Sequence, residues 1–294
     1  MPLKQFARII ILLFVAGTTF KAADPGLPSK TAVYVAAARA LGSKDPDPQR
    51  RNPDYLAIKF LGPRERALLP EVPMDALDLD FASAMKQLGG EVLVDLLRYR
   101  TKAFDAALLD ALQNGATQVV VLGAGFDSRA YRFQSQLGSV HVMEVDLGPT
   151  QAYKKQRLSE ILDAIPPNVS FVSMDFTKDN LLDELRKVGY SEQQNTFFLW
   201  EGVTYYLPES AVKDTLHFVR DHSASGSRIA FDYFGASNRA VNNPNGLYAR
   251  WGEPVLFGFP NDSAREYVQH EGLGVLSDTH GPEYICIAEV VNKR

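Results

Sequence analysis

The sequence predicts an α/β protein with a mostly parallel sheet and helices on both of its faces. Short apolar runs rich in β-branched residues alternate with helical patterns from residue 118 onward, and this alternation is typical of βαβ units. The first run, residues 119–122, contains no polar residue, which suits a strand buried on both faces. It leads directly into the turn Gly123-Ala124-Gly125, where small residues leave room for a ligand.

The elements of this alternating part follow from their periodicity. Strands are predicted where apolar residues occur together in short runs, and helices where apolar residues recur every three to four positions. The predicted strands are residues 119–122, 140–145, 169–174, 196–200, 228–233 and 284–291. The predicted helices between them are residues 126–133, 149–164, 180–188 and 208–222.

The part of the chain before this alternation is predicted to be helical. Residues 31–41 are alanine-rich, and residues 91–113 carry leucines on one side and end at the C-cap signature Asn114-Gly115. Shorter helices are predicted over residues 54–61, stopped by Gly62-Pro63, and over residues 80–89. Residues 74–80 have no clear period, so no element is predicted there.

The length of 294 residues permits one α/β domain with additions. We expect a single domain over residues 25–294, with a helical N-terminal cap at 25–90 and the α/β core at 91–294. Residues 235–260 are rich in Asn, Gly and aromatic residues. A loop of this length is usually functional, so these residues are the expected lid or substrate loop.

The N-terminus has the pattern of an export signal. Lys4 and Arg8 precede an apolar run at residues 9–15, and small and polar residues follow as far as Ala22-Ala23. The run is shorter than the roughly 20 apolar residues that a membrane-spanning helix needs. We therefore expect residues 1–24 to be a targeting or membrane-associating segment outside the fold.

Composition excludes several classes of function. The net charge is −4 and lysines and arginines do not cluster beyond Arg50-Arg51, so nucleic acid is not an expected partner. Cys286 is the only cysteine, which excludes an intrachain disulfide and a cysteine-based zinc site. The histidines, including His141, His217 and His222, have no metal-ligand spacing, so no metal is expected.

The segment QVVVLGAGFDSRAYRF, residues 118–133, is typical of a nucleotide-type site. The glycine turn lets the backbone approach a ligand, and a helix that follows it offers unpaired N–H groups. Ser128 occupies the place of the third glycine of the dinucleotide fingerprint, which argues against NAD. A GxG turn taken alone is explained equally well by turn geometry.

Acidic residues follow four successive predicted strands. Ligands of open α/β sheets bind at the carboxyl ends of the strands. A carboxylate there can accept hydrogen bonds from ribose hydroxyls or an exocyclic amine, and an aromatic ring beside it can pack on a purine. The residues so placed are Asp127, then Glu144 and Asp146, then Asp175 with Phe176, and finally Glu201.

Together these motifs resemble the leucine carboxyl methyltransferase family, in particular its bacterial S-adenosylmethionine-dependent methyltransferases and polyketide carboxyl methyltransferases. The matching pieces run in family order from about residue 30 to residue 208: TAVYVAAARAL, RTKAFD, VVVLGAGFDSRAYRF, EVDLG, SMDFT and EGVTYYLP. The resemblance implies the class I S-adenosylmethionine-dependent methyltransferase fold, which is Rossmann-like with a seven-stranded, mostly parallel sheet. It also implies S-adenosylmethionine as the cofactor.

The resemblance implies roles for residues of the glycine turn and the RT motif. Arg100 would pair with the methionine carboxylate of the cofactor. Gly123 would contact the methionyl and ribose part, and Gly125 would allow this close approach. Lys30 is a weaker match to a cofactor-binding lysine of the eukaryotic members.

The acids at the strand ends also receive roles from the resemblance. Asp146 is favoured over Glu144 for the ribose hydroxyls, although both remain candidates. Asp175 and Phe176 would bind the adenine. Glu201 would lie near the amino group of the cofactor.

Structural roles remain open for several of these residues. Arg100 can belong to a salt bridge on a helix surface, and Glu144 can orient a neighbouring group rather than bind ligand. For Asp127 we favour a role in capping the helix after the turn. Tyr205 and Tyr206 are expected to pack at the top of the sheet.

The expected reaction is O-methylation, most simply of a carboxylate on a small molecule or a protein C-terminus. A carboxylate is already ionised at neutral pH, so no general base is required, and the matched motifs contain none. The alternatives are methylation of a phenol or enol, for which a base is needed, and a non-catalytic cofactor-binding protein. Because S-adenosylmethionine is made in the cytosol, we expect a cytoplasmic or membrane-associated protein.

Overall fold

The computed structural model describes residues 27–291 and is built around one seven-stranded sheet. The expected targeting segment, residues 1–24, lies outside the described residues. The strand order is β3-β2-β1-β4-β5-β7-β6, with β1 to β5 parallel and β7 antiparallel to both of its neighbours. The strands are β1 Gln118–Leu122, β2 His141–Asp146, β3 Val169–Ser173, β4 Thr196–Trp200, β5 Arg228–Tyr233, β6 Gly274–His280 and β7 Tyr284–Glu289.

Helices cover the sheet and its carboxyl edge. They are α1 Lys30–Gly42, α2 Pro63–Ala67, α3 Phe81–Leu88, α4 Val92–Gln113, α5 Arg129–Arg132, α6 Gln134–Leu137, α7 Gly148–Ile161, α8 Leu181–Arg186, α9 Glu209–Asp221, α10 Leu247–Arg250 and α11 Arg265–His270. Short 3₁₀ helices lie at Ala57–Phe60, Met74–Asp78, Thr204–Tyr206 and Pro260–Asp262. The predicted α/β class and each predicted strand are confirmed, with strand ends shifted by at most two residues.

The first strand shows why the central run is apolar throughout. Val119 and Val121 belong to the core on one face of the sheet, whereas Val120 and Leu122 belong to the core on the other face. All five residues of β1 are buried because helices cover both faces. Strand order reverses between β1 and β4, so the carboxyl ends of these two strands border the crevice where ligands of such sheets bind.

Helix α1 packs on α4 above this carboxyl edge. Alanines 36, 37, 38 and 40 are all buried, and their small size lets the two helices approach closely. Ser29 caps α1, because its side chain accepts a hydrogen bond from Ala32 N. This close packing brings Arg39 of α1 and Arg100 of α4 into the interior beneath the edge.

Some predicted boundaries are wrong for identifiable reasons. Pro63 begins α2 rather than ending the preceding helix, since proline is well suited to the first helical position. Helix α5 begins at Arg129 rather than at residue 126, because the Asp127 side chain accepts from Arg129 N and shapes the turn before it. Strand β6 was not predicted, since it is a half-exposed edge strand with a polar sequence.

No helix within residues 27–291 is both long enough and apolar enough to cross a membrane. The thiol of Cys286 is buried in the core beside β5, where burial raises its pKa above the ordinary range.

The central strand offers a test of the core. Phe198 of β4 is fully buried and packs edge-on against Phe218 of α9 with ring centroids 5.9 Å apart. We expect Phe198→Ala to lower the free energy of unfolding in urea by about 3–5 kcal/mol, because it leaves a cavity in a close-packed core. The control Tyr55→Ala, at a residue 61% exposed, should change it by no more than about 0.5 kcal/mol. A loss below about 1 kcal/mol in Phe198→Ala would contradict this packing.

Candidate active site

A cavity of about 590 Å³ lies at the carboxyl edge of the parallel strands. This volume falls in the range of small-molecule pockets, roughly 300–1,000 Å³. Its walls come from the glycine turn after β1, the ends of β2, β3 and β4, the first turns of α1, and the expected lid. Every predicted cofactor residue except Glu144 lines it: Arg100, Gly123, Gly125, Asp146, Asp175, Phe176 and Glu201.

The glycine turn forms the floor of the cavity and requires its glycines. Gly123 has φ +68°, and a Cβ built there would lie 2.4 Å from Cγ2 of Val203. Gly125 has φ +43°, and a Cβ there would lie 3.4 Å from Ala32 of α1. Both residues occupy left-handed backbone conformations that favour glycine. The turn therefore lets β1, α1 and the segment after β4 meet closely around one space.

Asp146 ends β2 and faces the cavity. Its Oδ1 accepts from Leu147 N at 2.6 Å, and its Oδ2 accepts from Gly125 N. Burial raises the pKa of Asp146 to about 6, and the two backbone N–H groups only partly oppose this effect. Each oxygen keeps a further lone pair for a hydroxyl donor, which is the property that a ribose-binding acid requires.

The structure does not bring Glu144 to the cavity, so its inclusion among the cofactor-binding candidates needs correction. It shares a face with Asp146 but lies two residues deeper in β2, between β1 and β3. Lys154 Nζ lies 2.7 Å from its Oε2, and both side chains are fully buried. Burial raises the pKa of Glu144 to about 7, with Lys154 opposing the rise. Glu144 thus belongs to a structural pair beneath the site.

Asp175 and Phe176 follow β3 and form the outer wall of the cavity. Asp175 accepts from Lys178 Nζ at 2.6 Å and from the Thr177 hydroxyl at 2.7 Å. Burial tends to raise the pKa of Asp175, but these hydrogen bonds outweigh it and lower the pKa to about 2. Asp175 therefore presents an ionised acceptor beside an aromatic ring.

Glu201 lies at the centre of a buried ion-pair network beneath the cavity. Its Oε1 accepts from Arg39 and, at 2.9 Å, from Arg100 Nε, while its Oε2 accepts from Arg129 Nη1 at 2.7 Å. Burial opposes ionisation of Glu201, but the three guanidinium groups prevail and lower its pKa far below the ordinary value. Both oxygens of Glu201 are therefore engaged by arginines.

The network continues on both sides of Glu201. Its side chains are at most 10% exposed, and it contains four guanidinium groups and six carboxyl groups. These are Arg39, Arg100, Arg129 and Arg132 with Asp54, Asp105, Asp127, Glu201, Asp232 and Glu283. Each buried charge in this network needs a partner of opposite charge, because an unpaired buried charge is costly.

Arg100 bridges this network and the cavity. Its Nη1 donates to Asp232 Oδ2 and to Glu283 Oε1, both at 3.0 Å. Its Nη2 has no hydrogen-bond partner within residues 27–291 and lies beside Gly202, where a built Cβ would be 3.8 Å away. The alternative of a salt bridge on the helix surface is wrong, since the Arg100 side chain is only 4% exposed and its ion pairs are buried.

Arg129 was missed as a functional candidate. Its guanidinium binds Asp105 at 2.6 Å, Glu201 at 2.7 Å and Asp127. Asp127 also accepts from Arg129 N at 2.7 Å, which fits the favoured structural role at the start of α5. Arg132, one turn later, binds Asp105 through both terminal nitrogens. The spacing of three between the arginines places both on one helix face, which is the sequence signal for this pair.

The expected lid contributes Arg250 to Pro254 to the cavity wall. Glu253 holds this segment against the start of α1: its Oε1 accepts from Lys30 N at 2.6 Å, and its Oε2 accepts from Ser29 Oγ at 2.9 Å and from Thr31 N at 3.3 Å. A carboxylate is favourable at a helix N-terminus, where N–H groups lack partners. Lys30, the weaker sequence candidate, lines the cavity at this point.

The turn at Gly123 offers a second test. We expect Gly123→Ala to lower the free energy of unfolding by more than the roughly 1–3 kcal/mol typical of a strained backbone, because Val203 adds a clash. Gly115→Ala is the matched control, since φ is +88° there but no atom lies within 4 Å of a built Cβ. The double change Gly123→Ala with Val203→Ala should recover the excess loss. Equal losses in the two single glycine variants would contradict the clash.

The chain is similar in sequence to known methyltransferases. The family model for leucine carboxyl methyltransferase matches residues 32–220. A Mycobacteroides abscessus protein is named as an S-adenosyl-L-methionine-dependent methyltransferase. It is 33% identical to this chain over 218 residues, which cover 74% of this chain and 68% of the relative. A Bacillus subtilis protein with a similar name is 34% identical over 59% of each chain.

A solved structure is similar at a lower level. It is the 1,6-didemethyltoxoflavin-N1-methyltransferase of Burkholderia thailandensis with bound 1,6-didemethyltoxoflavin and S-adenosylhomocysteine, at a TM-score of 0.46 and 17% identity over 79% of this chain and 92% of that one. The family match spans more than half of the chain and includes the RT motif, the glycine turn and the acids at the strand ends. The chain belongs to the leucine carboxyl methyltransferase family and is an S-adenosylmethionine-dependent methyltransferase with the class I fold.

Proposed function

We propose that the protein transfers the methyl group of S-adenosylmethionine to a carboxylate oxygen of its acceptor. One observation carries this proposal: the cavity wall formed by the described residues offers no group suited to act as a general base. No histidine lines it within residues 27–291, and every acid that lines it already has partners. An acceptor that is ionised before it binds needs no base.

The acids of the cavity wall are engaged in different ways. Asp127 and Glu201 bind arginines. Asp146 accepts from two backbone N–H groups, and Asp175 accepts from Lys178 and Thr177. Glu253 accepts from the first turn of α1. These hydrogen bonds and ion pairs stabilise the ionised carboxylates and so make each of them a weaker proton acceptor.

The tyrosines of the cavity are also unsuited to the role of base. Burial raises the pKa values of Tyr205 and Tyr206 well above the ordinary value of about 10. Their phenols therefore stay protonated at neutral pH. Tyr205 stacks on Phe234 at 4.2 Å between ring centroids, and Tyr206 packs edge-on against Tyr248, which agrees with the expected packing role.

The cavity residues fit the cofactor in chemistry. We assign the methionine carboxylate to Arg100 Nη2, the nitrogen without a protein partner, and the ribose hydroxyls to Asp146. We assign the adenine to Asp175 and Phe176, which present a hydrogen-bond acceptor beside an aromatic ring. Gly123 and Gly125 supply the close backbone approach, and we assign the amino group to the neighbourhood of Glu201, as the family resemblance implies.

When bound, S-adenosylmethionine would supply an activated methyl group on a sulfonium for transfer to a carboxylate oxygen of the acceptor. The contribution of the chain is to hold both reactants in place and to exclude water. The buried network contains more carboxyl groups than guanidinium groups, so its field favours a cation in the cavity. Helix α1 and Glu253 cover the site from the solvent side.

Arg250 gives the acceptor side of the cavity a positive charge. It lines the cavity from α10, its side chain is exposed, and its Nη1 donates to Asn245 O at 3.1 Å. Within residues 27–291 it has no carboxylate partner, unlike Arg39 and Arg100. An exposed guanidinium at a cavity wall attracts an anionic acceptor by charge and by hydrogen bonding.

The reaction is tested with methyl-labelled S-adenosylmethionine and a panel of carboxylic acids, phenols and a peptide with a free C-terminus. We expect label in base-labile methyl esters of acids, because only these acceptors arrive ionised. Base-stable label on phenols, with none on acids, would contradict the carboxylate proposal and favour hydroxyl methylation.

The same assay carries a matched pair of variants. Arg250→Ala should raise the KM for the acid about tenfold, since a charge-assisted hydrogen bond contributes roughly 1.5–3 kcal/mol. Arg239→Ala removes an arginine from the same lid at a position that does not line the cavity, and it should leave KM unchanged. Equal changes of KM in the two variants would show that Arg250 does not bind the acceptor.

A further inference from the structure

Arg100 is held by three carboxyl groups that come from distant parts of the chain. Glu201 follows β4 and takes Nε at 2.9 Å. Asp232 of β5 and Glu283 of the β6–β7 turn both accept a hydrogen bond from Nη1 at 3.0 Å. With Nε and Nη1 fixed in this way, the planar guanidinium can aim only Nη2 elsewhere, and Nη2 is the nitrogen without a partner in the described part of the chain.

Asp232 has a second attachment that accounts for its burial. Its Oδ1 accepts from Gly202 N at 2.5 Å, so it joins Arg100 to the turn after β4. Glu283 is attached to Asp232 as well, through a hydrogen bond between the two carboxyl groups that favours the protonated form of Glu283. Its Oε1 accepts from Arg100, and no N–H donor among residues 27–291 reaches its buried Oε2. Glu283 does not line the cavity and is only 7% exposed. Its polar contacts are therefore with Arg100 and Asp232.

An ionised Glu283 would add a third negative charge around one guanidinium. The charged and titratable groups that face it are Arg100 of α4, Asp232 of β5, Glu201 after β4, and the phenols of Tyr205 and Tyr248. Only Arg100 among these is a cation. Burial raises the pKa of Glu283 to about 8; Arg100 opposes the rise, and Asp232 and Glu201 add to it.

We propose that Glu283 is a positioning residue for the cofactor: when protonated it accepts from Arg100 through Oε1 and adds no charge there, and when ionised it competes with the methionine carboxylate for the same guanidinium. This inference rests on the assignment of the methionine carboxylate to Arg100. It gives the site a pH response that arises outside the cavity.

The sign of the response follows from proton linkage. A ligand carboxylate at Arg100 adds negative charge near Glu283 and so favours its protonated form. Affinity for the ligand is then full at pH values below the pKa of about 8 and falls as the pH rises through it. A residue that merely packs in the turn would give no such pH dependence.

The test is calorimetric titration of the full chain with S-adenosylhomocysteine between about pH 6.5 and 9.5, in wild type, Glu283→Gln and Glu266→Gln. Wild type should bind about three- to tenfold more weakly at pH 9 than at pH 7. Glu283→Gln keeps an oxygen for Arg100 Nη1 but cannot ionise, so it should lose most of this fall. Glu266, exposed on α11, is the matched control and should behave as wild type. The amino group of the ligand titrates equally in all three and cancels in the comparison.

Binding by Glu283→Gln with the full wild-type pH dependence would overturn the proposal. If Glu283→Gln does not fold, Asp232→Asn tests the proposal instead, because loss of the Asp232 charge lowers the pKa of Glu283. The fall in affinity should then begin at lower pH, and an unchanged midpoint would overturn the proposal. The assay measures binding rather than methyl transfer, so failure here is distinct from failure of the carboxylate acceptor, which the labelled panel reports.

Discussion

The buried carboxylate of Glu201 and the three arginines that bind it are the interaction on which the rest of the site depends. Arg39 comes from α1, Arg100 from α4 and Arg129 from α5, so one carboxylate at the end of β4 fixes three helices above the carboxyl edge of the sheet. Removing one partner of a buried pair usually costs about 3–5 kcal/mol, because the remaining charge stays buried and unpaired. The network therefore joins the three helices that border the cavity.

This network also sets the chemistry that the cavity can perform. The acids that line it are engaged by arginines, backbone N–H groups, α1, or the side chains of Lys178 and Thr177, and these partners weaken them as proton acceptors. This is the basis of our proposal that the site orients an acceptor that is already ionised. Its excess of carboxyl groups favours a cationic cofactor, and we propose that Arg250, which also lines the cavity, favours an anionic acceptor.

Much of the fold could be predicted from the sequence, because period and turn residues determine it locally. The uninterrupted β1 run and the Asn114-Gly115 helix end are confirmed, since each depends on adjacent residues. Glu144 illustrates the limit: its two-residue spacing from Asp146 predicts a shared face but not the depth at which the strand is covered. The contact of Glu283 with Arg100 could not be predicted. The two residues are 183 positions apart in the sequence, and only the pairing of β7 with β5 brings them together.

The central claim is that the network holds Arg100 so that one guanidinium nitrogen is left for the cofactor. Its most direct test is calorimetric binding of S-adenosylhomocysteine to Arg100→Lys, which keeps the buried charge but not the planar fork, with Arg98→Lys on the same helix as control. The account predicts that Arg100→Lys binds at least about tenfold more weakly, or roughly 1.4 kcal/mol, while Arg98→Lys binds as wild type. Wild-type affinity in a folded Arg100→Lys protein would contradict it.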